Sequence, residues 1–208
     1  MSAKPVPFLH VYFAFAAGYL FSYLLRTVNA VISPELTRDL GLTSGSLGLL
    51  TSAYFVAFAA MQIPAGMLLD RYGPRRVEPV LLALGGAGTL AFALADGVTG
   101  LLVARALIGL GVAVCLMAPL KAISVWYPPE KQASLAGWIM VAGGMGALAA
   151  TTPLEFALRF ASWRTIFVVL AALTAVVAVW VWLKVPDVPK PAAAPRSARP
   201  PLATPDLV

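Results

Sequence analysis

Long apolar runs separated by short polar breaks set the pattern of this 208-residue chain. Each run is long enough to cross a hydrocarbon core of ~30 Å as a helix that rises ~1.5 Å per residue. Thr43 and Ser44, just before the second run, are both typical N-cap residues. The pattern predicts six membrane-spanning helices, at residues 8–32, 44–69, 77–95, 99–126, 133–155 and 165–184.

The two ends of the chain differ from the six-span region between them. The first apolar run exceeds the ~7–15 residues of a signal-peptide core, so we interpret it as a retained span. The last stretch is rich in Pro and Ala, which favours an extended, disordered chain. We predict a cytoplasmic N-terminus at residues 1–7, one six-span domain at 8–184 and a disordered cytoplasmic tail at 185–208.

The composition indicates a membrane protein. Hydrophobic residues make up 60% of the chain and charged residues 12%, whereas soluble domains have roughly half and a quarter. So little polar surface cannot cover a water-soluble fold of this size. We therefore predict an all-α, polytopic membrane protein that is surrounded by the lipid bilayer.

The basic residues predict an orientation. The formal net charge is +6, but Lys and Arg lie at the ends of the apolar runs and not along one exposed face. The positive-inside rule explains this distribution more simply than binding to nucleic acid does. It predicts a multi-pass protein of the inner (plasma) membrane with both termini in the cytoplasm and no nucleic-acid partner.

The sequence offers little support for enzymatic chemistry. The single cysteine, Cys115, lies inside an apolar run, and the single histidine, His10, has no ligand partner in sequence. No intramembrane Ser–His, paired-Asp or metal-ligand arrangement is present, and no phosphate-binding glycine loop follows a strand. We predict that the protein is not an enzyme and that it uses no metal or cofactor.

Arg26 is the most informative charge inside a span. An arginine at mid-bilayer costs roughly 2.5–3.5 kcal/mol on insertion scales, so it should face protein or water. On a helix, Arg26 shares a face with Tyr23 and Asn29. Tyr54 and Gln62 belong to a comparable stripe on the second span. Two such stripes predict a water-filled cavity in which the guanidinium attracts a carboxylate or phosphate.

Each basic residue inside a span also has a structural explanation. Arg26 could snorkel to the membrane surface, or it could pair with Glu35 or Asp39 in the following break. Arg105 fits a structural pairing as well as a functional role. Lys121, near the end of the fourth span, is explained by snorkelling to the interface.

The third span carries many small residues, which in lipid allow helix backbones to approach closely. Alanines recur there at four-residue spacing, and glycines lie beside them. We predict that this helix packs closely against its neighbours. The small residues are Ala83, Ala87 and Ala91, with Gly85, Gly86 and Gly88.

A dense cluster of charge lies between the second and third spans, at residues 66–76. Its pattern, Gly-x-x-x-Asp-Arg-x-Gly-x-Arg-Arg, resembles the signature loop of the major facilitator superfamily. Residues 102–111 and the segment Trp163-Arg164-x-x-Phe167 resemble two other motifs of that superfamily. The resemblance implies its amino-terminal half-bundle, a 3+3 inverted repeat, with the loop as a conformational latch. The motif residues are Gly66, Asp70, Arg71, Gly73, Arg75 and Arg76 in the loop and Arg105, Gly109 and Gly111 in the fourth helix.

The first span resembles one branch of this superfamily in particular. Residues 23–34 resemble the first helix of the organophosphate:phosphate antiporters and the anion:cation symporters, in which the matching arginine binds the anion. The resemblance implies that Arg26 binds a small organic anion. The neighbours that we expect to complete the substrate site are Tyr23, Asn29, Tyr54 and Gln62.

Acidic residues are scarce in the spans. Glu78, Asp96 and Glu155 all lie near span ends, whereas a proton-coupled carrier needs an intramembrane group that titrates. Leu25 and Val112 also stand where the related symporters commonly carry acids. The sequence therefore argues against a simple proton relay within this chain.

These features favour a secondary active transporter of a small organic anion that works by alternating access. Carriers of this superfamily rock two six-helix halves around a central site, and this sequence holds one half. We therefore expect a second half, supplied by a self-dimer or a partner chain. The alternative is a truncated, non-transporting remnant or an assembly partner of a full-length carrier.

Overall fold

The structure is a computed structural model that describes residues 8–186, with side chains described from residue 11. The predictions for residues 1–7 and for the tail from residue 187 lie outside the described residues. Helices joined by short turns make up the described range, as the all-α prediction requires. Its helices are α1 (Phe8–Val31), α2 (Ser33–Leu40), α3 (Ser44–Tyr72), α4 (Pro74–Leu94), α5 (Val98–Val112), α6 (Met117–Trp126), α7 (Pro129–Ala149), α8 (Thr152–Leu158) and α9 (Trp163–Lys184).

Within residues 8–186, six helical stretches are long and apolar enough to cross a membrane, which confirms the predicted number of spans. Thr43 is the N-cap of the second, and its side chain accepts a hydrogen bond from the Ser46 backbone N–H at 3.2 Å. α3 and α4 meet at Gly73 alone, so the predicted loop at residues 66–76 is two helix ends around one residue. We call this side of the bundle the loop end and the other side the opposite end.

The fourth span is divided into α5 and α6 by a turn at residues 113–116. Pro119 follows this turn, and its ring nitrogen cannot donate the hydrogen bond that would continue a regular helix. Within the turn itself, the Cys115 backbone N–H bonds the Val112 carbonyl, three residues back, at 3.2 Å. The Ala113 carbonyl is left to accept from a side chain of another helix, Gln62, at 3.4 Å.

α4 is the central packing helix, and its main neighbours are α5 and α9. Gly85, Gly86 and Gly88 are buried, as expected for a helix that approaches others closely. Of the alanines that suggested packing, Ala83 and Ala87 are exposed on this half-bundle, and only Ala91 packs against the core. The glycine face is buried because only glycine lets neighbouring backbones approach to contact distance.

Two residues at the start of α9 connect the opposite end of the bundle. Arg164 donates to the carbonyls of Ala93 and Ala95 at 2.7 and 2.8 Å and pairs with Asp96 at 3.0 Å. The last carbonyls of a helix lack partners within it, so this guanidinium caps the end of α4. Trp163 Nε1 donates to Asp39 of α2 at 2.9 Å, which joins α2 to the same end.

Candidate functional site

Aromatic rings surround Arg26 on α1. Its Cζ lies 4.7 Å from the centroid of the Tyr23 ring, 4.9 Å from that of Phe58 and 5.9 Å from that of Phe55. These distances are within the ~6 Å over which a ring face attracts a cation. Arg26 Nε also donates to Tyr54 Oη at 3.4 Å. The guanidinium is therefore positioned by rings and a hydroxyl, and no acid within residues 11–186 pairs with it.

The remaining nitrogens of Arg26 are available to a ligand. Within residues 11–186, neither Nη1 nor Nη2 makes a hydrogen bond, and the side chain is only partly buried. Neither of the two suggested pairings of Arg26 is present in this range. Asp39 accepts from Trp163, and Glu35 Oε2 is buried without a hydrogen-bond partner. Arg26 thus presents two terminal NH2 groups beside the α1–α3 interface.

A second arginine, on α5, contacts the same cluster. Arg105 of α5 is buried, and its Cζ lies 5.1 Å from the centroid of the Tyr54 ring. Its Nη1 donates to the Leu25 carbonyl of α1 at 3.0 Å. Tyr54 is therefore held between Arg105 and Arg26, and α5 is tied to α1 one residue from the candidate anion anchor. Sequence alone did not indicate this connection.

Asn29 extends the cluster by about one turn of α1. Its Nδ2 donates to Thr51 Oγ1 of α3 at 3.3 Å, while its buried Oδ1 has no hydrogen-bond partner within the described residues. A buried amide oxygen without a partner is costly. Asn29 therefore carries, one turn from Arg26, an unpaired acceptor that is closed to solvent in this conformation.

Gln62 is not brought into this cluster. It lies eight residues beyond Tyr54 on α3, or about 12 Å along the helix axis, and its Nε2 donates to the Ala113 carbonyl at 3.4 Å. Its contact is with the junction between α5 and α6. The structure thus groups Arg26, Tyr23, Asn29 and Tyr54, and Gln62 lies nearer the loop end.

Glu78 lies near the end of its span, as expected, but it is completely buried. Both of its carboxylate oxygens lack a hydrogen-bond partner within residues 11–186. A signal for this burial was present in the sequence. Glu78 shares one face of α4 with Leu82, Gly85 and Thr89, at spacings of four, seven and eleven residues, and all of these are buried.

The charged motif at the loop end contains a one-residue junction and an ion pair. Gly73 has a φ of +78°, a conformation that glycine adopts without strain, and its N–H caps α3 by bonding the Leu69 carbonyl at 3.0 Å. Asp70 pairs with Lys121 Nζ of α6 at 2.8 Å. Lys121 therefore has a partner, where snorkelling alone was expected. Arg71 lies over the Tyr72 ring at 5.2 Å.

The glycines of the fourth-helix motif mark two helix crossings. A methyl group on Gly109 would overlap the Tyr54 carbonyl of α3, and one on Gly111 would overlap the Gly85 backbone of α4. α5 therefore lies in direct backbone contact with both neighbours. Gly109 also positions Tyr54, so this crossing and the Arg26 cluster depend on each other.

The described residues thus form a six-span helical half-bundle with a partly exposed, aromatic-lined arginine. The chain belongs to the major facilitator superfamily of membrane transporters, whose family model matches residues 15–207. The similarity extends to solved structures. A bacterial homologue of the human lysosomal transporter Spinster, inward-facing and unoccupied, superposes with a TM-score of 0.79 at 22% identity, covering 96% of this chain and 47% of that one. At that identity the likeness shows the fold alone.

Several curated relatives are named as transporters of organic anions. The hexuronate transporter of Escherichia coli is 31% identical over 76% of this chain and 36% of its own length. The galacturonate transporter of Dickeya chrysanthemi is 32% identical over 76% of this chain and 46% of its own. The "Probable sulfoacetate transporter SauU" of Cupriavidus necator is 31% identical over 75% and 36%. This chain spans less than half the length of each relative.

Proposed function

We propose that this chain is one six-helix half of a secondary active transporter for a small organic anion, with Arg26 as the anion anchor. The observation that carries the proposal is the Arg26 guanidinium, which is positioned by Tyr54 and aromatic rings and keeps its two terminal NH2 groups for a ligand. Relatives named for hexuronate, galacturonate and sulfoacetate support an anionic substrate.

The chemistry of the cluster favours a sugar acid. A guanidinium offers two parallel N–H groups that match the two oxygens of a carboxylate. Asn29 Oδ1 is buried and without a partner among the described residues, so it can accept a hydrogen bond from a hydroxyl of the same ligand once a movement of α1 against α3 exposes it. A hydroxylated carboxylate can use both groups, whereas a neutral sugar can use only the second.

The proposal includes a second half. Carriers of this architecture enclose the substrate between two six-helix units that rock around it, and Arg26 lies on the side of α1 that faces α3. We propose that a second copy of this chain or a separate six-helix partner closes the site. We also propose that both termini face the cytoplasm, because the loop end carries most of the Lys and Arg residues.

The purified full chain in proteoliposomes provides the test. We expect it to exchange labelled galacturonate across the bilayer above the level of protein-free vesicles. Unlabelled glucuronate should compete and galactose, which lacks the carboxylate, should not. Equal competition by galactose would contradict the assignment. Absence of exchange, together with a strict monomer by native mass measurement, would favour the non-transporting alternative.

The ion pair between Asp70 and Lys121 provides a separate prediction about the proposed latch. The side chains of Lys121 and Asp70 are 41% and 72% exposed, so the pair contributes less than about 1 kcal/mol to stability. Asp70→Asn should therefore leave the melting temperature almost unchanged. If the pair biases one conformation of the carrier, the same variant should change the exchange rate by ~5-fold or more.

A charge swap separates this role from a general charge effect. The double variant Asp70→Lys, Lys121→Asp keeps the pair with its signs reversed. Its exchange rate should therefore lie much closer to the wild-type rate than that of Asp70→Asn does. Arg38→Gln, on exposed α2, serves as a control for the loss of one surface charge. An exchange rate in Asp70→Asn equal to that of the control would exclude the latch.

A further inference from the structure

The carboxyl group of Glu78 is the least satisfied charged group in the described part of the chain. Glu78 has no exposed surface, and neither Oε1 nor Oε2 has a hydrogen-bond partner within residues 11–186. It belongs to the fifth position of α4, about one turn from the junction at Gly73. No role in the anion site explains it.

α1 closes over this carboxyl group at a glycine. A methyl group placed on Gly18 would overlap Glu78 Oε1 and would also contact Leu82. The backbone of α1 therefore lies directly against the acid, and any larger residue at position 18 would displace it. Because α1 also carries Arg26, a movement of α1 away from α4 would expose Glu78 and shift the anion anchor together.

No charge compensates Glu78 from the helices packed around it. Among the described residues, the Cys115 thiol at the α5–α6 turn is within electrostatic range of Glu78 and of Arg26. Asp70 of α3 and Lys121 of α6 pair with each other, and neither bonds Glu78. The other charged groups of the described residues near this end do not bond the Glu78 carboxyl group either. They are Arg71 of α3, Arg75 and Arg76 of α4, Glu130 and Lys131 of α7 and Lys184 of α9.

Ionisation of the Glu78 carboxyl group at this buried position carries a large desolvation free energy. Moving an unpaired charge out of water costs several kcal/mol or more, and buried acids avoid this cost by binding a proton. The neutral acid loses only ordinary hydrogen bonds to water. The packing of α1 on α4 therefore favours the protonated form of Glu78, and separation of the helices favours ionisation.

We propose that Glu78 is a proton-binding site that couples protonation to the packing of α1 on α4. The proton stays on the carboxyl group while the two helices are packed, and it passes to water at the loop end when they separate. The proton is then the coupling ion for anion movement, a step that rests on the proposed transport function. The site lies on a different helix from the positions where Leu25 and Val112 argued against proton coupling.

Infrared spectroscopy of the purified full chain tests the proton directly. The C=O stretch of a protonated carboxylic acid is separate from the bands of an ionised carboxylate. We expect the wild type at neutral pH to show such a band, Glu78→Gln to lose it, and Glu130→Gln, an exposed acid at the same end, to keep it. A missing band in the wild type, or a band that persists in Glu78→Gln, would overturn the proposal.

Transport measurements test the coupling separately. In proteoliposomes with an imposed pH gradient, galacturonate uptake by the wild type and by Glu130→Gln should be accelerated by the gradient. Uptake by Glu78→Gln, which carries no titratable group at this position, should not respond to it. A response equal to that of the wild type would refute coupling through Glu78. If the wild type transports nothing, the proposed function fails, and the infrared result still decides whether Glu78 binds a proton.

Discussion

Replacing Arg26 with glutamine is expected to remove galacturonate binding almost completely. A hydrogen bond to a charged group contributes ~1.5–3 kcal/mol, and the bidentate contact proposed here uses two of them. The loss should exceed about 3 kcal/mol, which corresponds to a Kd raised by more than ~100-fold. The measurement is the rise in melting temperature of the purified chain with increasing galacturonate, which reports binding to the folded state.

Two further variants separate the effect of the Arg26 guanidinium from the effect of its charge alone and of a lost surface charge. Arg26→Lys keeps the charge but loses the fork of N–H groups and the Nε bond to Tyr54 Oη, so binding should be intermediate. Arg38→Gln removes an exposed arginine on α2 and should bind like the wild type. If Arg26→Gln still responded to galacturonate as the wild type does, the anion would have to bind elsewhere.

The spans could be predicted from sequence because length and polarity decide which segments can cross a bilayer. Their ends were harder to predict. The second span was expected to stop at residue 69, before the charged Asp70, whereas α3 continues to Tyr72. Charged residues are compatible with a helix end that leaves the apolar layer. The positive φ of Gly73, with an extended ψ of 162°, ends the helix.

Contacts within one helix could also be read from spacing, but contacts between helices could not. Tyr23 and Arg26 are three residues apart, and the structure places the guanidinium over the ring. The pairing of Arg26 with Tyr54 depends on the depth at which α3 passes α1, which spacing does not contain. For the same reason Gln62 was expected beside Arg26, although it bonds Ala113 about two turns away.

The burial of Glu78 shows a related limit. Position along its span suggested an acid near water, because the residue lies close to a helix end. Its environment is decided by Gly18 of α1, which allows a neighbouring backbone to cover the carboxyl group. Burial of a single residue in a bundle is a property of the helix that packs on it, so a reading of α4 alone could not supply it.

Substitution of Gly111 by alanine is expected to cause the largest loss of stability among single methyl additions to α5. Its new methyl group would overlap the backbone of Gly85 and the Leu81 carbonyl on α4. Backbone atoms of a packed helix cannot rotate away as a side chain can, so α5 and α4 must separate. Overpacking costs ~1–3 kcal/mol, and a backbone clash belongs at the upper end of that range.

Gly85 provides a matched control because it faces Gly111 across the same crossing. A methyl group on Gly85 would meet Gly111 and Val112 at 3.5–3.6 Å, which is ordinary van der Waals contact. Alanine also has a higher helix propensity than glycine by ~0.8–1.0 kcal/mol. Gly85→Ala should therefore be neutral or stabilising. Alanine substitution is thus expected to lower the stability at Gly111 and to leave it unchanged or raise it at Gly85, although the two glycines are in contact.

Cys115 makes the comparison measurable. It is the only cysteine in the chain and it is buried, so reaction with a thiol-specific dye during heating reports unfolding. A loss of about 3 kcal/mol in a chain of this length lowers Tm by roughly 6–12 °C, which is expected for Gly111→Ala. Gly85→Ala should melt at or above the wild-type temperature. Equal melting temperatures for the two variants would show that α5 and α4 are not in backbone contact at this crossing.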